Sequence, residues 1–563
     1  MKLTQVAWTA SAILLTAGLL ITLNFGGIVI TLAELLPSAN ENTTAFNVDL
    51  IELTGRELIW ISLSTFVCVF LIGSDTFAIS VNRFEHLICA QPERTLTITL
   101  MVCATFAWIT ATSVLKEFPN SADEYAYIFQ ASDFSHGKLW SDVHQHPEFF
   151  EYDHIVQKEN KWISRFPPGW PLILSLAFVF AIPPFLVNIA CAITATYFFY
   201  HLVRHIHDER IALWSTFAVA TSSFFLFNTA SYFSHTSSFL HLVLAMYLTL
   251  LYFNDRRLWR ALLAGFFVGM LAITRPYTAV LLLGAFYGWI VWLHKKESVR
   301  AVIAIAIGAL PCLAFYFWYN ASTTGSILLP VTVWAFPEEK LGFYGDHTLA
   351  LGIKHILKRL SMFVYWVSPH MLLLYFLLLI KSRDGMRSRP EDFFFVILMT
   401  GYTLYYSYGG NQYGPRFYFE AFPFLVVFTA ARAMRSARWT RVLFIIGIIY
   451  AVVRIPVISA RENRVVHERM DIYHQVAKKN IHKAIVFIAS PTGVIRPMDA
   501  ENLNRNDKQY RNDVLYALDL GERNQVLMKQ YPSRRYFRYE RDPEKVRGSL
   551  REITPDNSEY MRR

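Results

Sequence analysis

The chain has 563 residues, of which 54% are hydrophobic, 16% aromatic and only 17% charged. A soluble globular protein carries about 25% charged residues, so this balance excludes that class and indicates a polytopic membrane protein. A net charge of +10 in a soluble protein would suggest nucleic acid as a partner. Here basic loops between apolar segments hold much of the excess, so we expect the lipid bilayer with its anionic headgroups, and no nucleic acid, as the partner.

Apolar segments of roughly 18 to 25 residues recur along the chain, and each is long enough to cross a bilayer as a helix. They predict an all-α polytopic membrane protein with about thirteen transmembrane helices. The predicted spans are 6–28, 57–78, 96–115, 171–203 (broken by Pro183 and Pro184), 211–228, 234–253, 261–274, 277–294, 299–319, 360–380, 392–408, 416–431 and 441–458.

Five short connections rich in Lys and Arg fall on one side of this series of spans. They are RHIHDER, NDRRLWR, HKKESVR, KSRDGMRSRPED and RAMRSARWTR. Because basic residues are retained on the cytoplasmic side, we expect a multi-pass protein of the inner (plasma) membrane with a cytoplasmic N-terminus. The loops 116–170 and 320–358 and the tail then lie outside. The first apolar run lacks a clear cleavage site, so it is interpreted as an anchor and not as a signal peptide.

The order of segments predicts three regions. Residues 1–95 form an N-terminal anchor of two transmembrane helices, and residues 96–458 form the transmembrane catalytic domain. Residues 459–563 have no span. Their segments KAIVFIAS, DVLYALDL and RRYFRY are typical of strands, and GERNQVLMKQYP of a short helix. We expect a small extracytoplasmic α/β domain there.

The external loop 116–170 is long for a membrane protein and rich in aromatic residues, which favours a functional role. Within it, SADEYAYIFQASDFSHG has the spacing of a short amphipathic helix that begins after Ser121, ends at Gly137 and lies flat on the membrane surface. Asp123 and Glu124 fall in its first turn. Physical chemistry alone leaves two interpretations open: a carboxylate that caps the helix and meets its dipole, or a catalytic base.

Five basic residues stand at the outer ends of predicted spans. They are Arg165, His235, Arg275, His347 and Arg416. A charge costs about 2.5–3.5 kcal/mol at the centre of a bilayer and less at its edge, so polar groups gathered at helix ends usually face a cavity. Each residue alone is explained by snorkelling to the interface. Together with a nearby carboxylate they suggest a site for a reaction with a phosphate leaving group.

Six segments between 116 and 431 occur in an order found in one family. They are ADEYAYIFQASDFSHGKLW, SRFPPGWPLILSLAF, FNTASYFSHTSSFL, AITRPYTAVLL, NASTTGSILLP with LGFYGDH, and YGPRFYFEAFPFLVV. With these segments the chain resembles the GT-C superfamily of membrane glycosyltransferases. The likeness is to the bacterial branch related to protein O-mannosyltransferases and to the lipid A aminoarabinose transferase. The resemblance implies a GT-C fold with a long external first catalytic loop.

The resemblance also implies roles for individual residues. The acidic residue at the start of the family's first external loop, its catalytic base, matches Asp123, and Glu124 completes the common acidic pair. The basic residue before Pro-Pro, associated with the lipid phosphate, matches Arg165. Arg275 and Arg416 match family positions that we assign to phosphate or sugar contacts.

The donor-binding set is completed by His235, His347 and Tyr127, although packing at the interface is the alternative for Tyr127. Many relatives carry a second acidic residue in the next external loop, where this chain has His235. The sequence thus leaves a divalent metal open, without the support of a second external carboxylate, and it indicates neither a set of metal ligands nor another cofactor.

The implied reaction is a single displacement with inversion, in which a monosaccharide moves from a polyprenyl-phosphate donor to an acceptor hydroxyl. The absence of a nucleophile constellation agrees with this scheme. The sequence does not distinguish a hexose from a pentose, or a glycan, lipid or protein acceptor. Two alternatives are a transporter or flippase for lipid-linked glycans, and an oligosaccharide ligase.

Overall fold

Helices dominate the fold, as the composition predicts. The structure is a computed structural model that describes residues 2–23, 28–29, 32, 41–337, 339–381, 389–407, 409, 412–435, 437–489, 505–541 and 548–554. The helices are α1 (Lys2–Thr22), α2 (Glu41–Gly73), α3 (Asp75–Ala90), α4 (Pro92–Ile109), α5 (Ala122–Ser135), α6 (Gly169–Val179), α7 (Pro184–Ile206), α8 (Glu209–Ala220), α9 (Ser223–Ala230), α10 (His235–Asp255), α11 (Leu258–Thr274), α12 (Pro276–His294), α13 (Ser298–Thr324), α14 (Val331–Ala335), α15 (Leu349–Trp366), α16 (Pro369–Lys381), α17 (Phe394–Gly401), α18 (Phe422–Ala433), α19 (Arg438–Lys478) and α20 (Asn524–Gln530).

Membrane-spanning length is reached by six helical segments in the described part of the chain, or by seven if the bent pair α8 and α9 counts as one span. One of the six, Pro276–Thr324, contains two helices, α12 and α13, joined by a 3-10 turn at Lys295–Glu297. Shorter apolar helices of 10–17 residues lie among them. The chain is therefore a multi-pass membrane protein, and the count of thirteen spans stays a prediction.

The predicted break at Pro183 and Pro184 is confirmed, since α6 ends at Val179 and α7 begins at Pro184. Proline fits the first turn of a helix, where its missing N–H has no partner to lose.

The N-terminal helices α1 and α2 pack against each other, and α2 also contacts α15 and α19. A buried ion pair joins α2 to α19. Arg454 donates to Glu57 over 2.9 Å, and the Tyr450 hydroxyl donates to the same carboxylate over 2.7 Å. Each charge thus has a partner, which is the usual condition for charged groups inside a membrane protein.

The last long helix differs most from its sequence-based boundary. The predicted span ends at 458, but α19 continues without interruption to Lys478. It leads directly into a four-stranded sheet made of β4 (Ala484–Ala489), β5 (Val514–Leu518), β6 (Arg535–Glu540) and β7 (Ser549–Ile553).

In this sheet the strand order is β5-β4-β6-β7, with β4 parallel to both of its neighbours and β7 antiparallel to β6. The three predicted strands and the predicted helix α20 form where the sequence places them. The division of the chain into domains stays a prediction.

The loop between α4 and α6 is folded. It contains α5 and a small antiparallel sheet in the order β1-β3-β2, with β1 (Ser141–Asp142), β2 (Ile155–Lys158) and β3 (Lys161–Ser164). Residues on both sides of α5 are buried, including Tyr125, Tyr127 and Phe129. The predicted amphipathic helix is thus covered by protein on more than one face, because the rest of the loop and the C-terminal residues pack over it.

Candidate active site

The first turn of α5 separates the roles of its two carboxylates. Ser121 accepts a hydrogen bond from the Glu124 amide over 3.2 Å, and Glu124 in turn accepts from the Asn120 amide over 3.0 Å and from the Tyr232 amide over 3.1 Å. This Ser-x-x-Glu arrangement satisfies amide groups that the helix cannot pair. Glu124 therefore provides the capping that the sequence left open for either residue.

Burial raises the pKa of Glu124 to about 7, against the opposing effect of these donors. Both of its carboxylate oxygens accept hydrogen bonds within the protein, and its side chain is only 1% exposed. The geometry thus favours a role in holding the start of α5 over contact with a substrate.

Asp123 points the other way, toward two basic side chains. Arg416 donates through Nη1 to Asp123 Oδ2 over 2.8 Å, and His154 donates through Nε2 to Oδ1 over 2.8 Å. Partial burial by itself raises the pKa of Asp123, but Arg416 and His154 outweigh it and hold the pKa well below its usual range. Asp123 is therefore ionised, and it remains about one-fifth exposed, as a group that meets a substrate must be.

Arg416 is held on the other side as well. Its Nη2 donates to the Gly409 carbonyl over 2.6 Å, and its guanidinium lies 3.8 Å from the centre of the Phe233 ring. A guanidinium fixed by a carbonyl and an aromatic face keeps one edge directed at Asp123.

A second arginine, Arg275, lies beside a carboxylate that the sequence analysis did not single out. Its Nε is 3.1 Å from Glu420 Oε1, and its Nη2 donates to the Tyr402 hydroxyl over 3.2 Å. His235 Nδ1 is 3.5 Å from the same Glu420 oxygen. Glu420 is fully buried, and within the described residues neither of its oxygens makes a well-aligned hydrogen bond.

The third arginine, Arg165, also has an acidic partner. Its Nη1 donates to Glu339 Oε1 over 3.1 Å, and its Nη2 contacts Oε2 and reaches the Tyr406 hydroxyl at 3.4 Å. The guanidinium stacks on Phe336 at 4.0 Å. In this two-pronged contact two N–H groups meet two oxygens, which is also how arginine binds phosphate.

The three arginines expected to bind an anion are thus all neutralised in this structure. The pairs are Arg416 with Asp123, Arg275 with Glu420, and Arg165 with Glu339. An incoming phosphate must therefore replace a carboxylate or join a pair, because the site does not hold three free positive charges.

Tyr127 lies within the reach of these charges. Its hydroxyl is 3.4 Å from Ser234 Oγ, and its ring packs on Phe166 with centroids 4.5 Å apart. Burial raises the pKa of Tyr127 to about 12, Asp123 adds to the rise, and the charges of Arg275 and Arg416 oppose it. Tyr127 therefore packs against Phe166 and also lies near the charges of Asp123, Arg275 and Arg416.

His347 is placed elsewhere. Its Nε2 is 2.9 Å from the Thr403 carbonyl oxygen, and its ring stacks on His355 at 5.8 Å. Among the described residues it makes no hydrogen bond or ion pair with Asp123, Glu339 or Glu420. The predicted donor-binding role of His347 has no contact to support it.

C-terminal residues hold the other end of α5. Lys508 forms an ion pair with Asp133 over 2.6 Å and donates to the Phe129 carbonyl over 2.6 Å. Burial lowers the pKa of Lys508 to about 8, against the opposing effect of Asp133. On the same side, Tyr510 packs on the rings of His144 and Phe150 at 4.4 and 4.3 Å.

The start of α5 is tied to α19. Arg469 donates to the Asn120 carbonyl, and Asn463 donates to the Val114 carbonyl over 2.9 Å. The helix that carries Asp123 is therefore fixed at both ends by residues beyond 458.

The carboxylates and histidines of the site are the candidate ligands of a metal ion. In the described ranges, no group of three or more His, Cys, Asp and Glu side chains is arranged to hold one. Glu420 and Glu339 add two carboxylates to the site, but they pair with Arg275 and Arg165.

Sequence reasoning missed three residues of this site, His154, Glu339 and Glu420. Glu420 follows Arg416 at a spacing of four in RFYFE, the spacing at which two residues share one side of an α-helix, and this pattern was the available signal. His154 stands in the loop whose aromatic content already marked it as functional. Nothing local in the sequence pairs Glu339 with Arg165.

Comparison with known proteins gives a family match over part of the chain and a similar fold. Residues 168–319 match the profile of a family described as dolichyl-phosphate-mannose-protein mannosyltransferase. A comparison with curated protein sequences gives no match. The crystal structure of ArnT from Cupriavidus metallidurans in the apo state superposes with a TM-score of 0.50 at 9% sequence identity. The alignment covers 82% of this chain and 98% of that one.

Two archaeal structures are less similar. The oligosaccharyltransferase of Archaeoglobus fulgidus in the apo form gives a TM-score of 0.40 at 13% identity, over 73% of this chain and 63% of that one. AglB of the same organism, in complex with an inhibitory peptide and a dolichol-phosphate, gives 0.32 at 12%, over 78% and 58%. Both scores lie below 0.5. The likeness to ArnT and the family profile confirm the resemblance to the GT-C superfamily at the level of the fold.

Proposed function

We propose that this chain is an integral membrane glycosyltransferase that moves one monosaccharide from a polyprenyl-phosphate donor to an acceptor hydroxyl on the extracytoplasmic face of the membrane. The observation that carries the proposal is the position of Asp123. It is an ionised, partly exposed carboxylate on a folded loop, in contact with His154 and with Arg416, whose guanidinium suits a departing phosphate. A GT-C fold agrees with this chemistry.

The reaction is an inverting single displacement. Asp123 accepts the proton of the acceptor hydroxyl as its oxygen attacks the anomeric carbon. The bond between that carbon and the phosphate oxygen breaks, and the electron pair leaves with the lipid phosphate. Arg165, Arg275 and Arg416 are the groups that stabilise its charge.

The paired arginines suggest how the base is activated. A carboxylate whose pKa is far below neutral is a poor proton acceptor, and Arg416 is a main cause of that low pKa. When the donor phosphate accepts a hydrogen bond from Arg416, the guanidinium stabilises the Asp123 carboxylate less. The pKa of Asp123 then rises toward its usual range. Donor binding thus prepares Asp123 to receive the proton.

A transfer assay tests the proposal. The purified chain is placed in nanodiscs with radiolabelled polyprenyl-phosphate hexoses and pentoses and with total membrane acceptors. We expect transfer from one donor class by the wild type and a loss of about 10²–10⁴-fold in kcat for Asp123→Asn. Glu151→Gln, which removes an exposed carboxylate from the same loop, is the control and retains activity.

Each failure has its own meaning. If Asp123→Asn transfers sugar at the wild-type rate, the base is another group. If the wild type moves the labelled donor between leaflets without any transfer, the flippase alternative is correct. If Glu151→Cys is labelled only from the cytoplasmic side, the proposed face is wrong.

A further inference from the structure

The packing of α11 against α13 leaves a groove at one end of this helix pair. In the middle the two backbones touch, because a Cβ at Gly265 would clash with the Ile305 carbonyl and one at Gly308 with the Leu262 carbonyl. Toward the 3-10 turn at Lys295–Glu297 a groove of about 430 Å³ lies along the pair. Its lining residues are Leu258, Leu262, Lys296, Val299, Arg300, Ile303, Ala304 and Ile307.

The groove is apolar along its length and basic at its mouth. Val299, Ile303 and Ile307 follow one another at a spacing of four along α13, and each is more than half exposed. Lys296 and Arg300 stand at the end where the chain turns, one helical turn apart and both exposed. A ligand that matches both parts has an anionic head and a hydrocarbon tail.

The charges at the mouth are not balanced by the protein. The segments 255–260 and 295–300 contain six basic and two acidic residues, an excess of four positive charges. Both acidic residues are occupied: Glu297 pairs with Arg256, and Asp255 with Arg257 and Arg260. In the described part of the chain, neither Lys296 nor Arg300 has a carboxylate within 4 Å.

A second groove gives a useful contrast. It lies between α3 and α19, has a volume of about 220 Å³ and is also apolar with two arginines. There, however, Arg438 pairs with Asp75 over 2.9 Å and Arg441 donates to Asn82 over 3.1 Å. Side chains of the protein thus bind both cations of that groove, whereas, among the described residues, the two cations at Lys296 and Arg300 stand free to meet an external anion.

We propose that the groove between α11 and α13 binds an anionic phospholipid of the surrounding bilayer, with the headgroup phosphate between Lys296 and Arg300 and one acyl chain along Val299, Ile303 and Ile307. Retention of basic residues on one side of the membrane explains why the connection is basic. It does not explain an apolar groove that ends at two cations without counter-charges, which is typical of lipid headgroup sites between transmembrane helices.

Native mass spectrometry tests the proposal on the full chain. The protein is released from phosphatidylcholine nanodiscs that contain a minor fraction of phosphatidylglycerol. We expect the wild type to retain phosphatidylglycerol in preference to phosphatidylcholine. The variant Lys296→Gln/Arg300→Gln should bind it roughly thirtyfold more weakly, since each basic residue near an anionic lipid contributes a factor of about five.

Two further variants separate this site from general electrostatics. Arg83→Gln/Arg94→Gln removes the same charge from exposed positions on α3 and α4 and should retain the preference. Ile303→Trp fills the groove while it keeps both cations, and should lose the preference. Equal retention of both lipids by the wild type, or full retention by Ile303→Trp, would overturn the proposal. So would retention of an added polyprenyl phosphate in place of phosphatidylglycerol.

Discussion

Arg416 and Asp123, 293 positions apart in the sequence, are joined by a 2.8 Å hydrogen bond between Nη1 and Oδ2. This contact connects the folded loop between α4 and α6 with the 3-10 turn at Arg416–Tyr418, which precedes α18. It also sets the ionisation of the proposed base, so its removal has a consequence that can be measured as a function of pH.

We expect Arg416→Gln to move the acid limb of the pH–rate profile to higher pH. Without the guanidinium, only His154 opposes the effect of burial, and the pKa of Asp123 rises. A carboxylate acts as a base above its pKa, so activity is lost earlier on acidification than in the wild type. The measurement is kcat/KM for the donor from about pH 4 to 8. Arg416→Lys, which keeps the charge, is the control, and an unchanged limb in Arg416→Gln would contradict the assignment.

Glu339→Gln should lower the KM for the donor, by roughly tenfold, with little change in kcat. The donor phosphate then no longer competes with a carboxylate for Arg165. Steady-state kinetics with increasing donor concentration give both constants. Glu339→Asp keeps the charge and serves as the control. A higher KM in Glu339→Gln would show that Glu339 supports donor binding.

Glu420→Gln should destabilise the folded protein, because it leaves the buried guanidinium of Arg275 without its counter-charge. Removal of one partner of a buried ion pair typically lowers the free energy of unfolding by about 3–5 kcal/mol. Thermal unfolding in detergent compares this variant with Glu420→Gln/Arg275→Gln, which removes both charges and should recover part of the loss. If the single variant unfolds at the wild-type temperature, the pair does not stabilise the fold.

Lys508→Met should reduce kcat more than it changes KM, because Lys508 touches α5 and not the substrate. The charge exchange Lys508→Asp/Asp133→Lys should restore part of the rate by re-forming the ion pair. Arg523→Gln, which breaks the exposed pair with Glu148 on the same surface, is the matched control. A loss of kcat in the control as large as that in Lys508→Met would point to general loosening of the C-terminal residues.

Local patterns in the sequence predict much of this architecture. Apolar runs predict the helices, Pro183 and Pro184 the break between α6 and α7, and Ser121 and Gly137 the limits of α5. The strands β4, β5 and β6 also follow from short apolar or aromatic runs. These features depend on neighbours in the sequence, which is why residue spacing reveals them.

The pairing of charges could not be predicted in the same way. Which carboxylate faces Arg165, Arg275 or Arg416 depends on how distant helices pack. The continuation of α19 beyond 458 was missed for a different reason. The sequence becomes polar there. A change to polar residues shows where a helix leaves the hydrocarbon core of the bilayer, but it does not show where the helix ends.

The distant origin of these contacts has a consequence for biosynthesis. At about 5–20 residues per second, the ribosome adds Arg416 some fifteen seconds to a minute after Asp123, and Arg469 and Lys508 later still. During this interval the loop has left the ribosome without the side chains that fix its helix. If the proposed reaction depends on a fixed α5, the chain becomes active only after Arg469 and Lys508 have been made and have bound the two ends of that helix.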